Sequence, residues 1–221
     1  MLVGKNITED YTRKFCLLGQ EDIKISLLKI FFATLKDRGF RAVALYRAGR
    51  SFRNGGYIIL AKLIERLIHR LCYCEISTTA DIGPGFRIYH PFGLVIGSDL
   101  KAGKNFNIRL GSTFGGRRGK FREDGSHYPI IGDNATVAGG VRVIGPVEIG
   151  NNCIIGANSV VISDIPSDCV AAGVPARIIK RNGQKVSLLE QDGRLSEILR
   201  DLLSRTEKLE NQIEKNKHTH N

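Results

Sequence analysis

Among the side chains of this 221-residue chain, His90 is the first candidate for chemistry. It closes the segment EISTTADIGPGFRIYH, which opens at Glu75. Imidazole titrates near neutral pH and can take a proton from a hydroxyl as a general base. An isolated histidine just as well satisfies a corner of the fold, and the residue type alone does not separate the two readings. A second group of polar side chains, including Arg117, His127 and Tyr128, sits in the Gly115–Ile130 stretch GGRRGKFREDGSHYPI. The five cysteines, Cys16, Cys72, Cys74, Cys153 and Cys169, are odd in number and lack zinc-site or redox-pair spacing. They read as reduced packing residues of a cytoplasmic protein, and no metal site is expected.

A six-residue period positions these groups. Aliphatic residues recur at Ile131, Val137, Val143, Ile149, Ile155 and Val161, with small residues following at Gly132, Ala138, Gly150 and Gly156. Earlier copies run through Ile82 and Ile88, slip by two residues, and resume at Ile96, Ala102, Ile108 and Phe114. Such a period fits neither an α-helix nor an alternating strand, but fits a triangular coil of three hexapeptides that stacks as parallel β-strands. A β-sandwich would put turns every 8 to 12 residues instead. The Gly115–Ile130 stretch interrupts the register with eleven extra residues, and a long loop leaving a rigid coil is usually functional.

Three regions follow: helices over 1–74, the repeats over 75–183, and a C-terminal helix over 184–221. From Glu21 to about Tyr73 apolar residues recur at helical spacing, which predicts two or three helices broken at Gly39 and at Asn54-Gly55-Gly56. Leu188, Leu195, Leu202 and Leu209 fall seven apart, with Leu199 and Ile213 on the adjacent seam, as in a coiled coil. Asp192, Gly193 and Thr206 equally allow a fraying helix, and the tail KNKHTHN reads as disordered. The net charge is +11, and residues 1–74 hold 14 Lys+Arg against 6 Asp+Glu. Without a stacking motif, zinc finger or recognition helix, nucleic acid is not the expected partner. The run Ile58–Leu71 places Lys62, Arg66 and Arg70 on one face, opposite Ile64, Leu67, Ile68 and Leu71. That apolar face either packs inside the protein or makes a peripheral contact with an anionic membrane. The longest apolar stretches are interrupted by charge and do not span a bilayer, and no cleavable signal precedes them.

The landmarks YRAGR, EISTTADIGPGFRIYH, GLVIG, STFGG and VAAGVPARIIK, together with the repeats, resemble the hexapeptide-repeat serine acetyltransferases and their relatives that O-acetylate bacterial exopolysaccharides. The resemblance runs from about Arg41 to Arg181. It implies a mainly β protein, a left-handed parallel β-helix with a short N-terminal helical region and a C-terminal helix. It also implies an acetyl-CoA-dependent O-acetyltransferase, assembled as a homotrimer with the active site between protomers. His90 then acts as catalytic base and Glu75, fifteen residues upstream, orients it. Gly116, Gly139 and Ala157 line the pantetheine groove, while Arg117, Arg177 and Lys180 meet the phosphates of the cosubstrate.

Departures from the family pattern bear on the acceptor. Tyr89-His90 replaces an Asp-His pair, His127-Tyr128-Pro129 replaces Arg-His-Pro, and no Asp-Pro-Ala precedes Glu75. An aromatic surface of Tyr89, Phe92, Phe121 and Tyr128, with His127 beside it, suits a sugar better than a zwitterion. The expectation is therefore a sugar hydroxyl of a bacterial polysaccharide or its precursor as acceptor. The alternatives are a serine O-acetyltransferase of cysteine biosynthesis and a non-catalytic trimeric scaffold.

Overall fold

The structure, a computed structural model, describes residues 2–15, 26–119, 121–123, 125–186 and 193–219. It contains two compact units, Met1–Gly183 and Gln184–Asn221. The first begins with helices α1 (Leu2–Phe15), α2 (Leu27–Lys36), α3 (Arg38–Asn54) and α4 (Ile58–Cys72). Short strands then wind round a parallel β-helix whose three walls are sheets. Sheet A holds β1 (Glu75–Ile76), β4 (Val95–Ile96), β7 (Thr113–Gly115), β10 (Arg142–Ile144) and β13 (Val160–Val161). Sheet B holds β2 (Asp81–Ile82), β5 (Lys101–Ala102), β8 (Ile130–Ile131) and β11 (Glu148–Ile149). Sheet C holds β3 (Arg87–Tyr89), β6 (Asn107–Arg109), β9 (Thr136–Val137), β12 (Ile154–Ile155) and β14 (Cys169–Ala172), then turns back into antiparallel β15 (Arg177–Arg181). The second unit contains β16 (Gln184–Lys185) and a helix over Gly193–Thr219.

All twelve positions named by the six-residue period point inward and are buried. Each such side chain contributes about 1.5–3 kcal/mol by leaving water. The small residue that follows an inward position answers to the spacing of the coils, about 4.8 Å. A Cβ on Gly150 would stand 2.5 Å from the Ser167 nitrogen in the next coil. Coil corners need left-handed backbone, and Asn105, Asn134, Asn152 and Asp168 supply it with φ of 56–59°. Their side chains then bond coil to coil at 2.8–3.0 Å. Registers fix the insertion: Val95 pairs with Thr113, 18 residues on, whereas Thr113 pairs with Arg142, 29 residues on. The difference, 29 − 18 = 11, is the excess length carried by the loop between β7 and β8.

The YRAGR segment lies on α3 and closes the open end of the solenoid, whose first coil would otherwise present bare carbonyls. Tyr46 donates to Ala80 O at 2.7 Å, and Arg47 donates to Ile82 O and Gly83 O at 2.5 and 2.6 Å. Arg47 also pairs with Asp10 of α1 at 2.8 Å, where both side chains are buried, and Asp10 accepts from the Phe86 amide.

Three expectations for the helices need correction. Gly39 is not a break; it lies in the first turn of α3, where a Cβ would come within 2.3 Å of Ile88 O. The chain breaks instead at Asp37, which is extended and caps α3 by accepting from the Phe40 amide at 2.6 Å. Helix α1 lies within the region 1–74 expected to be helical but ahead of Glu21, where the helical spacing was read to begin, and the C-terminal helix continues into the tail read as disordered, to Thr219. Cys16, Leu188 and the side chains of Leu195 and Ile213 lie outside the described residues. The other four cysteines are buried, and burial pushes their thiols up, Cys74 to about 12. That keeps them protonated and unreactive.

Candidate active site

The two-residue slip in the repeat is the place where His90 sits. In later coils two residues separate the inward aliphatic from the left-handed corner residue, as between Ile108 and Gly111 or Val137 and Gly140. In the first coil four residues, Tyr89 to Phe92, lie between Ile88 and Gly93. His90 is therefore carried on a bulge at the corner from sheet C to sheet A, exposed, with φ of 53°. A non-glycine residue in that region is strained, and such strain clusters at functional sites. The bulge is pinned by buried Pro91 and by Phe92, which stacks on Tyr73 at 5.8 Å under the Arg38 guanidinium.

Up the same corner run Leu110, Gly139 and Ala157, one per coil: Gly140 N donates to Leu110 O, and Asn158 N to Gly139 O. Three coil spacings, roughly 14 Å, separate His90 from Ala157. Gly139 and Ala157 keep the upper part of this corner open, and Leu110 lies between them and the histidine; such a track suits an extended thioester arm, whose amides need exposed backbone. Arg177, opposite Ala172 in β15, and Lys180, opposite Val170, stand beyond its upper end, both exposed.

Gly116, Arg117, His127 and Tyr128 occupy the other edge of sheet A, at the corner toward sheet B. The His127 ring lies on Gly116, where a Cβ would meet its Cδ2 at 2.3 Å. Arg117 packs on Gly145, and Tyr128 lies over Gly97. The chain thus sets His90, Gly139 and Ala157 along one corner and leaves His127 and Gly116 apart from them, on the other edge of sheet A.

Glu75 projects from β1 with its carboxylate 3.6 Å from His69 Nδ1, and no Glu75–His90 bond forms among the described residues. The pair lines a cavity of about 560 Å³ between α4 and sheet A, together with Lys62, Glu65, Arg66 and Tyr128. Sequence reasoning missed His69 and Glu65, and it assigned Lys62 and Arg66 to the helix surface. Their helical spacing was visible; the sheet opposite them was not. Tyr89 also has unforeseen neighbours: Arg87 donates to its hydroxyl, and Lys14 and Arg109 stand 5.9 and 5.5 Å from its ring. Among the described residues no cluster of ligands could hold a metal ion.

The family model for the bacterial transferase hexapeptide (six repeats) matches residues 128–163. A serine acetyltransferase of Synechococcus elongatus is 36% identical over 179 residues, spanning 80% of this chain and 72% of that protein. The Neisseria gonorrhoeae serine acetyltransferase solved in complex with serine has a TM-score of 0.68 and 27% identity, covering 81% of this chain and 69% of that one. A serine acetyltransferase solved as its complex with CoA has a TM-score of 0.63 and 26% identity, covering 80% and 68%. These relatives overturn the expectation of a glycan acceptor. The geometry limits the expected sugar platform: Arg87 donates to the Tyr89 hydroxyl and Tyr128 lies against His127 and Gly97, which leaves Phe92 and Phe121 as its exposed rings. Repeat, fold and identity agree, and the chain belongs to the serine acetyltransferase family of hexapeptide-repeat transferases, which makes it an acyltransferase.

Proposed function

We propose that this protein transfers the acetyl group of acetyl-CoA to the hydroxyl of L-serine in the cytoplasm. The observation that carries the reading is the 36% identity to a serine acetyltransferase across four-fifths of the chain. In the reaction the serine oxygen attacks the thioester carbonyl as His90 takes its proton. The C–S bond then breaks, and the imidazolium returns the proton to the leaving thiolate. Glu75 is the positioning residue for the base. The pantetheine arm runs along Gly139 and Ala157 toward Arg177 and Lys180. A zwitterionic acceptor needs both signs of charge, and the cavity beside Glu75 offers Lys62 and Arg66 for a carboxylate and Glu65 for an ammonium.

The working unit is a homotrimer. A neighbour laying its Gly116–His127 edge on the His90 corner completes the site and provides backbone amides for the oxyanion. The reading is tested by incubating the full chain with acetyl-CoA and L-serine, following free CoA thiol and O-acetylserine together. Equal amounts of the two products are expected. Thiol release that needs a glycan and ignores L-serine overturns the proposal.

A further inference from the structure

Helix α2 is built back to front for a helix of a globular protein. Its ten residues include none that is buried. Leu27, Leu28, Phe31, Phe32 and Leu35 are all at least half exposed, Leu27 at 83%. At about 100° per residue these five fall within an arc of roughly 140°. Ile30, Ala33 and Thr34 occupy the opposite arc and are half-buried, while Lys29 and Lys36 stand between, beside the apolar edge. The side that touches protein thus holds one large apolar residue, Ile30, and the side with the other five faces water. Helix α4 repeats the pattern: Ala61, Ile68 and Cys72 are buried, Leu63, Leu67 and Leu71 are exposed, and Arg70 flanks them. This also corrects the sequence reading of α4, which put Ile68 and Leu71 on one apolar face.

We infer that α2, supported by α4, is a docking surface for an anionic phospholipid bilayer. Apolar side chains sink into the headgroup boundary of such a surface, and the basic residues beside them reach lipid phosphates. Charge selects this occupant. Residues 26–73 contain ten Lys and Arg against two carboxylates; Arg47, Arg50 and Arg53 are bound inward by Asp10, Asp81 and Thr78, and Asp37 and Glu65 by Lys14 and Thr78, which leaves exposed Lys29, Lys36 and Arg70 beside the apolar faces. A second copy of the chain would set lysine against lysine across a symmetric contact. Contact is peripheral, because no helix among the described residues is long and apolar enough to cross a membrane.

The test is sedimentation of the full chain with vesicles of phosphatidylcholine alone and of phosphatidylcholine with phosphatidylglycerol, at low and high salt. Binding is expected only to the phosphatidylglycerol vesicles at low salt. Each basic residue near an anionic surface strengthens binding roughly five-fold, so Lys29→Glu with Lys36→Glu weakens it by at least about 25-fold. Phe31→Ser with Phe32→Ser abolishes it and leaves the melting temperature nearly unchanged, since the two rings meet each other edge to face and neither is buried in the protein. Acetyl transfer to serine, read in parallel, is unaffected by either pair, so this inference and the proposed function fail separately. Absence of binding to phosphatidylglycerol vesicles overturns the inference. So does a fall in solution mass on Phe31→Ser with Phe32→Ser, because it makes a second copy the occupant.

Discussion

The β-helix and the helices ahead of it solve opposite problems with the same residue types. In the coils every aliphatic at the six-residue period turns inward, and the outer face carries polar groups, small residues, the His90 bulge and single aliphatics such as Leu110, Ile154 and Ile162. In α2 and α4 most of the large apolar residues turn outward, and the internal contact is left to a few, Ile30, Ala33 and Thr34 in α2 and Ala61, Ile68 and Cys72 in α4. A solenoid completes its own core coil by coil, so its surface is free to carry chemistry; a short helix resting on one end of it keeps an apolar face to spare. Position of the reacting groups belongs to the first region, and the surroundings in which the protein works belong to the second.

The sharpest way to break this division is at the bulge. His90→Ala should lower turnover about 100-fold to 10,000-fold, the range for loss of a general base, and leave acetyl-CoA affinity nearly unchanged. Steady-state kinetics with direct binding of CoA reads both. Turnover near that of the unmodified chain would remove His90 from the mechanism and strip the bulge of its purpose.

The joint between the regions comes next. Arg47→Ala leaves Asp10 buried without its guanidinium partner, and breaking a buried pair costs about 3–5 kcal/mol. Burial already raises the Asp10 carboxyl above its usual value, against the opposing pull of Arg47. In the variant that pull is gone, so the folded state holds the Asp10 proton to higher pH than the unfolded chain does. Stability then falls as pH rises through the ordinary carboxylate range. Denaturant unfolding at acid and neutral pH should show the larger deficit at neutral pH; an equal deficit at both would mean that Asp10 finds another cation.

Within the coils, Ile108→Ala should cost about 2–5 kcal/mol, because its side chain is fully buried between stacked rungs that cannot close over the hole. The sequence made this region readable because a six-residue period has one geometric solution, and each position reports its own direction. Even the slip of two residues after Ile88 was visible, although not that it forms a bulge holding His90. The Gly116–His127 contact was hidden, since a loop of irregular length has no period to fix which residue lies on which. The same holds for Glu75 and His69, which meet only because α4 lies across sheet A. In α4 the spacing showed an amphipathic helix and left its apolar face either packed inside the protein or turned to a membrane. Helical periodicity reveals that faces differ but not which one the rest of the protein covers.

The smallest effect expected is the one that decides whether the outward face is truly outward. Ile59 has the same chemistry as Ile108 and 78% of its surface in water. Replacing it with serine removes no contact and leaves no cavity, so stability should move by no more than about 0.5 kcal/mol. Helix propensity is nearly the same for isoleucine and serine, which leaves little local penalty to confuse the result. Measured beside Ile108→Ala by denaturant unfolding of the free protein, the pair gives a ratio of costs for one residue type in two regions. A cost for Ile59→Ser approaching that of Ile108→Ala would mean that another chain already covers α4 in solution, and the helices would then be part of the assembly's core and no longer a face turned toward lipid.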